Sequence, residues 1–166
     1  MLPSAHILPA VAVAVRTRPK TSLLWLPALV VLVHLPFDLL PHVEPGLIFQ
    51  GNYTHPTSAG FWWALSDILG TMWVVYRVHA NFPKHGMVVW LCFVFGLLPD
   101  LVQAWGQMQF LPQPGWMAQY SYIHDKVHFW WKLEWPHSLS ISVGTILTVL
   151  LWFFSFRSIN KSYMDS

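Results

Sequence analysis

The chain is short of charge, has a single cysteine, and contains no run of basic residues. Each shortage excludes something. Only 10% of its 166 residues are charged, whereas 55% are hydrophobic. That balance is too apolar for an ordinary soluble domain, and the length favours a single domain over residues 1–166. One cysteine, Cys92, lies inside an apolar run. An internal disulfide and a thiolate metal cluster are therefore excluded, and Cys92 suits a small hydrophobe in a core or against lipid. The net charge is +2 and the basic residues are dispersed, which leaves no nucleic-acid surface.

What is present reads as a membrane protein. Eleven Trp and five Tyr suit membrane–water interfaces, where amphipathic rings settle. Four apolar segments, Ser22–Leu40, Ala59–Tyr76, Met87–Ala104 and His137–Phe156, are each long enough to cross a bilayer. As helices they reach about 27–30 Å. A shorter stretch, Ala5–Val15, reaches about 16 Å as a helix. It is read as a half-span or a tilted short helix, with a signal peptide as the alternative. Arg16, Arg18 and Lys20 follow that stretch rather than precede it, which is the reverse of a signal peptide. The expected fold is an all-α, polytopic bundle of four full transmembrane helices plus a short N-terminal helix.

Two partitions agree on one topology. Arg16, Arg18, Lys20, Arg77, Lys84, Arg157 and Lys161 fall on one side if all four segments cross; Lys126 and Lys132 fall on the other. The positive-inside rule makes the first side cytoplasmic. Asp38, Glu44, Asp67, Asp100, Asp125 and Glu134 then lie in outer loops or outer halves of spans, leaving only Asp165 inside. Seven of the nine His are also external, provided His6 is. Localisation in a bacterial cytoplasmic membrane, with an outward-facing site, is the resulting expectation.

The acids and imidazoles suggest what that site is. A carboxylate near lipid costs roughly 2.5–3.5 kcal/mol at a span centre, so such groups face one another, water or a metal. His34-Leu-Pro-Phe-Asp38-Leu-Leu-Pro-His42 spaces polar groups four apart, on one face of a helix. Pro36 and Pro41 interrupt that helix, and Pro41 marks its end. Asp67 lies about 12 Å into its segment with no outer Lys or Arg within a span to pair with it. It is a metal ligand, an acid orienting one, or a protonated Asp bonded to Ser66 or a backbone carbonyl. Asp100 follows Pro99 near an expected helix end, where a capping role competes with ligation. His124-Asp125-Lys126-Val127-His128 places two imidazoles on one helical face, as a transition metal requires. The plain alternative for each His is a core or interfacial side chain.

The candidate ligands are therefore His6, His34, Asp38, His42, Asp67, Asp100, His124 and His128. They suit one or two divalent ions, Zn first and Mn or Fe next, because His and carboxylate donors predominate. Asp67 and Asp125 are the candidates for catalytic proton handling. Metal-dependent hydrolysis of a phosphoester in a lipid or envelope precursor is the expected activity. A metal transporter and a non-catalytic structural membrane protein are the alternatives. The cytoplasmic halves hold almost no ionisable residues, which counts against a transport path.

Ser-Ala-His6, Val-His34-Leu-Pro-Phe-Asp38-Leu-Leu-Pro-His42, Asp67-Ile-Leu-Gly, Gly96-Leu-Leu-Pro99-Asp100-Leu-Val-Gln and His124-x-x-x-His128 occur in a telling order. Together they resemble small uncharacterised bacterial polytopic membrane proteins, distantly similar to membrane-bound metal-dependent hydrolases. The resemblance runs from about His6 to His137 and implies a metal site made by the eight candidate ligands. The chain departs from the family in having Ala5-His6 with a helix of Ala and Val where the family has Thr-His and a Gly-rich helix, and in Pro36. The ligand pattern is more loosely similar to that of zinc-dependent phospholipase C enzymes.

Overall fold

The structure is a computed structural model that describes residues 3–17, 25–32, 34, 59–107, 112, 114–129 and 137–164. Among the described residues every regular element is helical, so the chain is all-α. The helices are α1 (Pro3–Ala14), α2 (Ala59–Asn81), α3 (Gly86–Gln107), α4 (Gly115–Phe129) and α5 (His137–Met164), with a 3-10 turn at Pro83–His85 before α3. Residues 25–32 and 34 are also helical.

The short N-terminal helix is the centre of the bundle. α1 packs against α2, α3 and α5. Pro3 opens it, where a missing N–H costs nothing, and nine of its residues are buried, with Pro9, Ala10 and Val13 forming one less covered stripe. A helix apolar all round belongs inside a protein. It ends by tightening, with Arg16 N–H donating to the Val13 carbonyl and the Thr17 hydroxyl to the Ala14 carbonyl.

Around α1 the core gathers Leu26, Val30, Val75, Val78, Val88, Val89, Cys92 and Phe93. Cys92 is therefore a core residue rather than a lipid-facing one. In a bilayer such burial brings little hydrophobic gain, because lipid is equally apolar, and close packing has to supply the attraction. Gly96 shows how close: a Cβ there would lie 2.7 Å from Ile7 Cγ1 and 3.3 Å from Val30 Cγ1. At Gly86 the ring of His79 occupies the space a Cβ would need.

Of the four spans expected, two described helices are long and apolar enough to cross a membrane, Pro83–Gln103 and Ile141–Met164. The segment 59–76 lies in α2, whose 23 residues give about 34 Å. Ser66, Asp67, Gly70, Arg77 and Asn81 leave that helix insufficiently apolar. The segment 22–40 is described only at 25–32 and 34, where it is helical. Only 17% of the Ile141–Met164 window is buried. Ile146, Val149, Phe153 and Phe154 are exposed along it, as a lipid-facing helix would have them.

The bundle has two chemically distinct ends. At one end His85 Nε2 lies 3.0 Å from the Thr17 carbonyl, Arg16 Nη2 donates to the Ser158 carbonyl at 3.5 Å, and Phe82 meets Tyr163 edge to face. These contacts collect Arg16, Arg77, Lys84, Arg157 and Lys161. Toward the other end lie Ser4, His6, His34, Asp67 and Asp100. Among the described residues these Lys and Arg thus lie at the end away from His6, His34, Asp67 and Asp100, whereas His85 lies with the basic groups and Lys126 does not.

Candidate metal centre

Three chain segments distant in sequence converge near the start of α1. His6 comes from the second turn of α1, His34 from the helical residues after 25–32, and Asp100 from α3. One donor atom from each lies within 4.8 Å of the other two. His34 Nε2 is 3.3 Å from Asp100 Oδ1. That is close to the spacing of two ligands on one tetrahedral zinc, about 3.3 Å for bonds near 2.0–2.1 Å. The rings of His6 and His34 stack at 4.2 Å and 18°.

The site is sheltered. The His34 side chain is fully buried, and 20% of the Asp100 side chain is exposed. Asp100 Oδ2 has no hydrogen-bond partner among the described residues. A buried carboxylate oxygen left unpaired costs about 1–3 kcal/mol, which a cation would offset. Asp100 sits inside α3, seven residues before its end, so it is no helix cap. Pro99 has no N–H to donate back along the helix, and its own carbonyl accepts the Tyr120 hydroxyl at 3.3 Å. That contact ties α4 to the ligand-bearing turn of α3.

His124 approaches from α4. It is fully buried, with its ring 5.7 Å from that of His34 and 5.6 Å from Tyr120 one turn earlier. It borders the three-donor group without being one of its members. His128 follows one turn later on the same helix, so the His-x-x-x-His spacing is helical as expected. The side chains of Asp125 and His128 lie outside the described residues, as do Asp38 and His42 entirely.

Asp67, expected as a ligand, an acid orienting one, or a hydrogen-bonded acid, is held by the start of α1. Ser4 N–H donates to Oδ2 at 2.9 Å and Ser4 Oγ to Oδ1 at 2.6 Å. Trp152 Nε1 donates in turn to Ser4 Oγ at 3.0 Å. Both oxygens of Asp67 are engaged by α1 two residues from His6, and Asp67 is not one of the three convergent donors. Ser66, expected as a partner, donates instead to the Trp62 carbonyl at 2.7 Å. Sequence reasoning missed Ser4, Trp152 and Tyr120. The available signals were a Ser two residues before a ligand His, a Trp in mid-helix whose N–H needs an acceptor, and a Tyr one turn before His124.

No family model, curated protein or solved structure matches the chain. The functional reading therefore stands on the site.

Proposed function

We propose that this is an integral membrane protein of the bacterial cytoplasmic membrane that holds a divalent metal near its outer face and uses it for hydrolysis. The observation that carries the reading is the convergence of His6, His34 and Asp100 within 4.8 Å. Two imidazoles and a carboxylate are the donor set of many hydrolytic metal sites, and three protein ligands leave a position for substrate. Zinc suits the set best, with Mn or Fe next. Such a cation polarises a phosphoryl oxygen and supplies hydroxide near neutral pH. A phosphoester in a lipid or envelope precursor is the substrate class, because it would reach the site from the bilayer. The resemblance to membrane-bound metal-dependent hydrolases points the same way.

In this scheme His6, His34 and Asp100 hold the ion, with Asp38, His42, His124 and His128 completing one or two sites. Asp67, fixed by Ser4, and Asp125 handle the proton released from water and returned to the leaving group. The test is hydrolysis of lipid phosphoesters by purified protein, stripped with chelator and reloaded with Zn, Mn or Fe. Activity should vanish on stripping, return on reloading, and fall by about 100-fold or more in Asp67→Asn, within the range for losing a general acid or base. Retention of full activity by the stripped protein would overturn the proposal.

A structural metal is the second reading, favoured by the full burial of His34 and His124. It predicts that chelation lowers the melting temperature while no phosphoester is turned over at any metal loading.

A further inference from the structure

The basic end of the bundle carries a separate feature on the lipid-facing side of α5. Phe153, Phe156, Arg157, Asn160, Lys161 and Met164 line an open groove of about 700 Å³. Their spacing of three and four makes one continuous helical stripe. Phe153 and Phe156 are exposed apolar rings. Among the described residues no carboxylate pairs with Arg157 or Lys161. The acids whose side chains are described, Asp67 and Asp100, sit on the opposite side of the core.

The order of chemistry along the stripe matches that of a phospholipid. Apolar rings come first, then a guanidinium, an amide and an ammonium. Arg157 lies sixteen residues beyond Ile141, about 24 Å along the helix, and Lys161 about 6 Å further. Those depths put both cations near the edge of a hydrocarbon core about 30 Å thick, where phosphates begin. Arg16, whose Nη2 reaches the Ser158 carbonyl beside Arg157, adds a third cation at that depth.

We propose that this stripe seats an anionic phospholipid from the leaflet at the basic end. The lipid phosphate lies between Arg157 and Lys161, and an acyl chain runs along Phe153 and Phe156. Arg157 engages the phosphate through its planar fork and Lys161 acts as a point charge, while Asn160 offers a neutral amide to the glycerol region. A zwitterionic lipid brings its own cation to the phosphate and competes poorly. The inference rests on α5 crossing the membrane and not on the metal site.

Native mass spectrometry of the full chain released from detergent tests it, with phosphatidylglycerol and phosphatidylcholine supplied at equal concentration. Phosphatidylglycerol adducts should dominate and should weaken as ionic strength rises, a measurement that needs no variant. Arg157→Gln and Lys161→Gln should each lower apparent affinity about fivefold, and the double variant more, whereas Arg157→Lys should retain most of it. Circular dichroism and monodisperse elution establish that the variants are folded. Equal retention of the two lipids overturns the proposal, as does unchanged phosphatidylglycerol binding in the folded double variant. Glycerol phosphate binding as tightly as the lipid overturns it too, because the acyl contacts would then contribute nothing. So does a lipid-independent dimer that buries the stripe.

Discussion

Ser4 grips both carboxylate oxygens of Asp67, through its backbone N–H at 2.9 Å and its hydroxyl at 2.6 Å. The same hydroxyl accepts from Trp152, so one small side chain joins α1, α2 and α5. Ser4→Ala removes a donor from Asp67 and an acceptor from Trp152 while leaving both in place. The expected cost is about 1–3 kcal/mol, the penalty for stranding a buried polar group. Thermal unfolding in detergent should show a melting temperature several degrees lower. Asp67→Asn should cost less, because an amide oxygen can take the Ser4 N–H and its NH₂ can donate to the hydroxyl. Equal stability of Ser4→Ala and wild type would show that this junction contributes nothing.

The ligand assignment separates residues by role. His34 and Asp100 belong to the convergent group, whereas Asp67 does not. Metal content of purified protein, measured by inductively coupled plasma mass spectrometry after gel filtration, should therefore fall in His34→Ala and Asp100→Asn. The loss of affinity should exceed about 100-fold, the upper range for residues that merely orient a ligand. Asp67→Asn should keep its metal. A variant set in which only Asp67→Asn loses the ion would reverse the assignment.

Part of this site was legible from sequence, and for a physical reason. Charge is costly near lipid, so the placement of Lys and Arg against Asp already marks two ends, and among the described residues the fold keeps Arg16, Lys84, Arg157 and Lys161 away from Asp67 and Asp100. The cluster of His6, His34 and Asp100 was legible as a set of residue types at a common depth. Its pairings were not. The Ser4–Asp67 bond and the His6–His34 stack join residues from helices whose relative rotation no local pattern specifies. Asp100 also read as lying near a helix end because of Pro99, yet α3 continues to Gln107. An interior proline removes only one bond of the ladder, the one its N–H would give to the Phe95 carbonyl, and the helix can continue past it where the chain is packed in protein. The central position of α1 was hidden by its length, which suggested a partial span. Its apolarity on nearly every face was the clue to burial on most of them.

Two glycines should respond to substitution with opposite sign. A Cβ on Gly96 would meet Ile7 Cγ1 at 2.7 Å and Val30 Cγ1 at 3.3 Å, whereas one on Gly70 meets nothing within 4 Å. Gly96→Ala forces α1 and the helical residues 25–32 away from α3, at about 1–3 kcal/mol for overpacking. Ile7 neighbours His6 and Gly96 lies one turn before Asp100, so metal affinity should fall with stability. Gly70→Ala should instead stabilise α2 by up to about 1 kcal/mol through helix propensity. Melting temperature and metal content of the two variants, measured side by side, check both signs. A neutral Gly96→Ala would mean that the helices are not in close contact there.

The separation of ends makes a prediction about sidedness. Lys84 is exposed in the turn between α2 and α3, and Tyr122 is 61% exposed on α4 at the other end. Lys84→Cys and Tyr122→Cys therefore report opposite faces of the membrane. Cys92 is 0% exposed and should stay silent, so no cysteine-free background is needed. With a membrane-impermeant maleimide, spheroplasts should label Tyr122→Cys strongly and Lys84→Cys only after lysis. Inverted vesicles should show the reverse. The positive-inside rule fixes the direction, since the Lys84 side carries most of the Lys and Arg. Labelling of both positions from the same side would place the basic and ligand-bearing ends on one face, and the membrane-spanning reading of the bundle would fail with it.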